Sequence, residues 1–143
     1  MRGNASKLDE QGKLRNGPAT FFFKDGALES AGNFFDGEKQ GEWKYYLKNG
    51  NLKAVGRYEA GQLSGEWKWY RENGNLMQTG SFEANAQVGL WKRFHPNGSV
   101  YDEGFYENGK KTGEWKVFSD QGLVVKTTHH RNHKVKQARA SEA

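Results

Sequence analysis

The chain has 143 residues, of which 34% are hydrophobic and 14% aromatic. Its mean hydropathy of −1.01 is that of a very polar protein, yet the aromatic content excludes a disordered chain, because disordered segments are poor in aromatics. With no Cys, a disulfide framework and a thiolate metal site are both excluded, and no apolar run approaches the roughly 20 residues of a membrane-spanning helix. The net charge of +5 comes from 22 Lys and Arg interspersed with 17 Asp and Glu, without the clustering usual in a nucleic-acid protein.

Met1-Arg2-Gly3-Asn4-Ala5-Ser6 has no apolar h-region, so the start does not read as a signal peptide and the cytoplasm is the expected compartment. A chain from which an export signal had been removed would read the same. Within residues 1–16, Leu8-Asp-Glu-Gln-Gly12-Lys-Leu14 resembles a decayed turn, and this segment is expected to form a partial hairpin that caps the N-terminal end.

From Gly17 onward the chain repeats every 24 residues without insertion or deletion, at 17–40, 41–64, 65–88, 89–112 and 113–136, leaving a polar tail at 137–143. All 20 aromatics lie inside these five repeats. A fixed period of this length means one supersecondary unit stacked on copies of itself.

Each repeat carries two aromatic or aliphatic runs around Asp25-Gly26, Asn49-Gly50, Asn73-Gly74, Asn97-Gly98 or Gln121-Gly122. That is the strongest short-range hairpin signal, because Gly, Asn and Asp tolerate positive φ. A second turn is expected at Gly37, Gly61, Asn85 and Gly109. The predicted fold is therefore all-β: a single-layer, twisted antiparallel meander of stacked β-hairpin repeats. No helical periodicity of useful length appears.

Strand alternation sorts the columns. Trp43, Trp67, Trp91 and Trp115 share a face with the residue two further on, including Tyr45 and Trp69. The opposite face takes Phe22, Tyr46, Tyr70, Phe94 and Phe118, and in the second strand Leu52, Gly56 and Tyr58 are expected on one face. The interior glycines Gly32, Gly56, Gly80 and Gly104 are expected to let a neighbouring aromatic lie across the backbone.

The pattern Gly-Glu-Trp-Lys-x-Tyr/Phe-x-x-Asn-Gly-x-Leu-x-x-x-Gly-x-Tyr/Phe-x-x-Gly over residues 17–136 resembles MORN repeats, especially the bacterial antitoxin-like variant. The resemblance implies an elongated, trough-shaped solenoid. It also implies a non-enzymatic scaffold that binds a partner protein, in its most specific version by occluding a toxin or effector. The chain departs from the pattern at Ala19, in place of the first Trp, and at Asn85 and His133, in place of turn Gly. Thr128 and His130 replace the Gly and aromatic of the last repeat.

Catalytic motifs are missing: there is no Gly-x-Ser-x-Gly elbow and no complete phosphate-cradling Gly-x-x-x-x-Gly-Lys-Ser/Thr loop, since Gly104–Lys110 is followed by Lys111 and its glycines fall at the repeat period. Glu42, Glu66 and Glu114 recur two residues before Lys44, Lys68 and Lys116, which reads as a solvated charge ladder supporting cross-strand pairing. His129, His130 and His133 could hold zinc only if they converged. Adjacent strand residues point to opposite faces, so the capping reading is preferred and no metal, cofactor or small-molecule substrate is expected.

The Trp stripe (Trp43, Trp67, Trp91) reads first as core that packs on the Gly column, with partner binding an added role for its more exposed members, and partner binding is also assigned to Tyr45, Trp69 and Arg93. The latter three sit at the repeat position that varies most in type, and Trp, Tyr and Arg dominate binding hot spots. Truncating Trp69 or Arg93 is expected to weaken binding with little effect on stability. The alternative is a peripheral binder of anionic lipid or nucleic acid, using Lys44, Lys68, Lys92, Lys116, Arg131, Lys134 and Lys136. Basic residues near the C-terminal edge equally serve to block edge-to-edge pairing. A detached regulatory module of an enzyme on another chain is a third class.

Overall fold

A computed structural model describes residues 7–131. It contains ten strands: β1 (Gly17–Phe22), β2 (Leu28–Phe35), β3 (Glu38–Tyr46), β4 (Leu52–Glu59), β5 (Gln62–Tyr70), β6 (Leu76–Glu83), β7 (Ala86–Phe94), β8 (Val100–Glu107), β9 (Lys110–Phe118) and β10 (Val124–His130). They form one sheet in sequence order, and β1 and β10 do not pair, so the meander is not closed into a barrel. Among the described residues no helix or second sheet lies against it.

The two kinds of turn exchange the roles that their sequences suggest. At Asn49-Gly50 the loop is longer than two residues: Leu47 N–H donates to Asn51 O at 2.8 Å and Gly50 N–H to Leu47 O at 2.9 Å. Only Gly50 takes positive φ. Asn49 instead accepts the Asn51 N–H on Oδ1 at 2.9 Å, the local side-chain bond that makes Asn a turn residue. The two-residue primed turns lie between repeats, at Asp36-Gly37, Ala60-Gly61, Ala84-Asn85 and Asn108-Gly109, where both residues have positive φ. This geometry matches the twist of the flanking strands.

The glycines that open each repeat are not turns. Gly41, Gly65, Gly89 and Gly113 lie inside strands with φ between 66° and 74°. Each marks a bulge. Across β2 and β3 the pairing passes from Asn33↔Gln40 to Ala31↔Lys44, so three residues of β3 oppose Gly32 alone. A second bulge pairs Tyr46 with Leu52 directly after Tyr45 with Ala54. Since cross-strand partners share a face and a one-residue slip exchanges faces, Leu52 joins Tyr46 and does not share the face of Gly56 and Tyr58. Period-2 alternation misassigned it because it ignores the extra residue.

The first bulge and the interior glycine together make the core. Trp43 lies on Gly32, where a Cβ would collide with the indole ring, and Trp67, Trp91 and Trp115 lie in the same way on Gly56, Gly80 and Gly104. Each indole Nε1–H donates to a backbone carbonyl ten residues earlier, Trp43 to Asn33 at 2.9 Å and Trp67 to Arg57 at 3.1 Å. A ring from the second strand stands edge-on to each indole: Phe34 to Trp43 at 5.2 Å, Tyr58 to Trp67 at 5.3 Å, Phe82 to Trp91 at 5.2 Å and Tyr106 to Trp115 at 5.2 Å. This is a favoured aromatic geometry. It buries Trp43 and Trp67 completely in a sheet one layer thick.

The departures at the two ends follow from this stacking. Ala19 pairs with Gly32 at the place of a repeat Trp, and eleven residues before it, where the other repeats place the glycine that an indole covers, stands Leu8. Thr128 pairs with Trp115, and no later Trp needs a bare backbone there. His130 stands edge-on to Trp115 at 6.3 Å and 82°, filling the aromatic place of the last repeat. At the N-terminal end, Leu8 and Leu14 bridge across a turn, Arg15 O accepts from Gly37 N–H at 2.9 Å, and Leu14 covers Gly37.

Candidate functional site

One cross-strand row defines the aromatic face at the level of the variable position. It runs Phe21↔Ser30↔Tyr45↔Ala54↔Trp69↔Gln78↔Arg93↔Asp102↔Val117, large residues alternating with smaller ones up to the Arg93–Asp102 pair. The rings of this row fill the gaps in the Trp stripe. Tyr45 lies 6.3 Å from Trp43 and 6.2 Å from Trp67, and Trp69 lies 6.1 Å from Trp67 and 5.6 Å from Trp91.

The residues singled out for partner binding therefore divide. Trp43, Trp67, Trp91 and Tyr45 are buried, whereas Trp69 is partly exposed and Arg93 exposed. The structure also ties Trp69 and Arg93 into the fold. Arg93 Nε and Nη2 donate to Asp102 Oδ1 and Oδ2 at 3.0 and 2.6 Å, and Asp102 is 5% exposed. That hydrogen-bonded carboxylate holds the Arg93 guanidinium above its usual pKa. Truncating Trp69 removes ladder contacts, and truncating Arg93 strands a buried carboxylate, so neither change leaves stability untouched.

At the N-terminal end the face carries a buried cation. Lys39 Nζ donates to Tyr45 Oη at 3.0 Å and lies 4.8 Å from the Trp43 ring, and Tyr45 and Tyr58 share a hydroxyl hydrogen bond of 2.6 Å. Burial lowers the Lys39 pKa and raises those of Tyr45 and Tyr58. All three groups satisfy one another, which keeps this end closed.

The Lys column takes the reverse face, and every member has a carboxylate nearby. Lys44 and Lys68 lie 3.9 Å from Glu42 and Glu66 on their own strands, Lys116 lies 3.3 Å from Glu114, and Lys92 lies 3.8 Å from its cross-strand partner Glu103. Three of the four pairs thus run along a strand and not across it. Exposed pairs of this kind contribute about 0–1 kcal/mol each. Arg131 is exposed, while His133, Lys134, Lys136 and the 137–143 tail lie outside the described residues. His129 lies 4.0 Å from Glu114, and His130 packs on Trp115. Among the described residues, no three His, Cys, Asp or Glu side chains gather in a metal-binding group.

Two features escaped sequence reasoning. Asp102 was not linked to Arg93, although its column otherwise holds Ser30, Ala54, Gln78 and, in the last repeat, Lys126. On the reverse face Leu90 pairs with Phe105, 42% and 54% exposed, where other repeats pair Glu42 with Arg57 and Glu66 with Ser81. The signal was present as Gly89-Leu90-Trp91 in place of Gly-Glu-Trp.

A family model described as a MORN repeat variant matches residues 39–60, 63–84 and 87–108. These stretches coincide with the β3–β4, β5–β6 and β7–β8 hairpins. No curated protein matches the chain. Among solved structures, a chain of "Crystal structure of GtfA/B complex bound to UDP and GlcNAc" is similar over 83% of this chain and 24% of its own length, at 12% identity and a TM-score of 0.29. The family match thus comprises three consecutive repeats of the MORN variant type within residues 39–108.

Proposed function

We propose that the chain is a non-enzymatic scaffold that binds a partner protein through its aromatic face, centred on Trp69 and Arg93. MORN repeats are a non-catalytic family associated with binding and scaffolding. The observation that carries the assignment is the position of Trp69: a partly exposed indole in the middle repeat, flanked by fully or nearly buried ones. Hot spots favour such central, partly preburied Trp and Arg side chains. The cation column that would serve lipid or nucleic acid is instead close to carboxylates throughout.

The more specific reading, occlusion of a toxin or effector in the manner of an antitoxin or immunity protein, comes from the resemblance to antitoxin-like repeats. It adds an expectation: the captured protein arrests growth when produced alone in the cytoplasm, and co-production of this chain relieves the arrest.

The test is affinity capture from the native host with wild type, Trp69→Ala and Leu90→Glu, each checked by circular dichroism to be folded at the assay temperature. Leu90→Glu restores the residue found at three other repeats and controls for the reverse face. Loss of a specific protein with Trp69→Ala and retention with Leu90→Glu is expected. The reverse pattern would move the interface to the Leu90–Phe105 patch and refute the proposal.

A further inference from the structure

Among the described residues, the Trp stripe has one gap that no ring fills. Phe21 stacks on Trp43 at 6.3 Å and 21°, Tyr45 sits between Trp43 and Trp67, and Trp69 between Trp67 and Trp91. Between Trp91 and Trp115 the equivalent residue is Arg93. Its guanidinium is held by the bidentate bond to the buried Asp102 and lies 5.1 Å from the Tyr101 ring centroid, at the wall of the gap. Tyr106 stands edge-on to Trp115 at 5.2 Å as its equivalents do to theirs, but lies 5.4 Å from Trp91, nearer than Tyr58 to Trp43 at 6.3 Å or Phe82 to Trp67 at 6.4 Å.

What remains is a cavity of about 230 Å³ lined by Trp91, Trp115, Tyr106, Arg93, Asp102 and Lys111 among others. Ligand pockets for drug-sized molecules run to roughly 300–1,000 Å³, so this one suits a single ring. The chain itself shows which group such a slot takes, since three different aromatic side chains occupy the equivalent positions. Lys111 Nζ lies over the Trp115 ring, 4.5 Å from its centroid, and it and Arg93 both line the cavity, so two cations are available to the electron-rich face of an incoming ring.

We propose that the slot between Trp91 and Trp115 is a binding site for one planar aromatic ring, supplied by a Phe, Tyr or Trp side chain of the partner polypeptide. The site rests on the protein-binding reading for the source of the ring, and on the geometry of the slot alone for its chemistry. Arg93 acts as a latch: held on Asp102 it keeps the slot open, and its exposed side reaches the backbone that follows the inserted ring.

The test uses N-acetyl-tyrosinamide as the ring and the indole N–H resonances of the 15N-labelled full chain as the readout. A saturable, weak association in the millimolar range is expected, as one ring offers few atoms. Shifts at Trp91 and Trp115 should exceed those at Trp43 and Trp67 by about threefold or more, with intermolecular NOEs from the probe to the Trp91 and Trp115 rings. The double variant Arg93→Trp/Asp102→Gln copies Trp69 and Gln78 of the preceding repeat and should fill the slot from within, abolishing the shifts. Equal shifts at Trp43, Trp67, Trp91 and Trp115, or absence of NOEs in the wild type, would overturn the site without recourse to the variant. Failure of the probe to bind while capture still depends on Trp69 would remove the slot and leave the scaffold reading intact. Selective probe binding with capture unaltered by the double variant would overturn the partner side chain as occupant.

Discussion

The indole of Trp67 rests on the backbone of Gly56, eleven residues earlier, at a place where even a methyl group would collide with the ring. The same spacing joins Trp43 to Gly32, Trp91 to Gly80 and Trp115 to Gly104. Gly56→Ala should therefore displace Trp67 and cost a loss comparable with a large-to-small core change, about 3–5 kcal/mol. In a Trp67→Ala background the same substitution should cost little, since Ala is better tolerated than Gly in a strand by about 0.5–1 kcal/mol. Urea denaturation of the double-mutant cycle measures the coupling. Additive losses would show that the two residues do not form one unit.

Position along the stack should also matter. In a linear array an interior repeat has two neighbours and an end repeat one. Trp67 has no exposed surface and packs on rings from both sides, whereas Trp115 retains 7%. Trp67→Ala should be the more destabilising of the two, each within about 3–5 kcal/mol. Denaturant midpoints decide it, and an equal or larger loss at Trp115 contradicts nearest-neighbour stacking.

Two of the primed turns carry alanine where the backbone is left-handed: Ala60 at φ 48° and Ala84 at φ 48°. A non-glycine residue there costs roughly 1–2 kcal/mol, which Asn reduces by local hydrogen bonding. Ala60→Asn should stabilise by about 0.5–1 kcal/mol, a gain of a few degrees in Tm. The bond from the Ala60 N–H to Gln40 Oε1 at 2.9 Å uses the backbone and survives the change. Thermal melts of Ala60→Asn and Ala84→Asn that fall below wild type would contradict the turn geometry.

The closed end of the face predicts a response to base. The pKa values of Tyr45 and Tyr58 are raised on folding, mainly by burial, so the folded state holds their protons more tightly than the unfolded chain. Their contribution is complete below the unfolded value near 10 and is lost as pH rises through and above it. The Lys39 pKa is lowered by burial, which has the opposite sign: folding gains as pH rises from its folded value towards about 10.5. The tyrosine effect operates alone above that range. Tm should fall between about pH 10 and about pH 11.5 in wild type and fall less in Tyr45→Phe. Parallel curves for the two proteins would rule out this pair as the origin.

The hairpin repeat was legible because Asn-Gly and the aromatic columns recur at a fixed period, and the covering of Gly32, Gly56, Gly80 and Gly104 by an aromatic followed from the placement of glycine inside a strand. The turn types were not, since Ala60 and Ala84 give no sign in sequence of adopting positive φ, while Asn49 advertises a two-residue turn that it does not make. Leu52 was misassigned for a related reason: a bulge changes the facing of a strand without changing its composition. At the candidate site, the variability of the Tyr45–Trp69–Arg93 position was visible. What that variability does depends on Asp102, whose pull on Arg93 is a contact between strands and has no local signature.

The most direct measurement of the protein-binding assignment is the salt dependence of affinity for the captured protein, in wild type and Trp69→Ala. An aromatic interface should keep its affinity within a few-fold between about 50 and about 500 mM salt and should weaken by about tenfold or more on loss of a hot-spot indole. A polyanion engaged by the Lys column would instead show log K falling steeply and linearly with log salt. A flat salt profile together with loss at Trp69 is the expected result. A steep salt slope with Trp69→Ala indistinguishable from wild type would contradict it and give the function to the charged face.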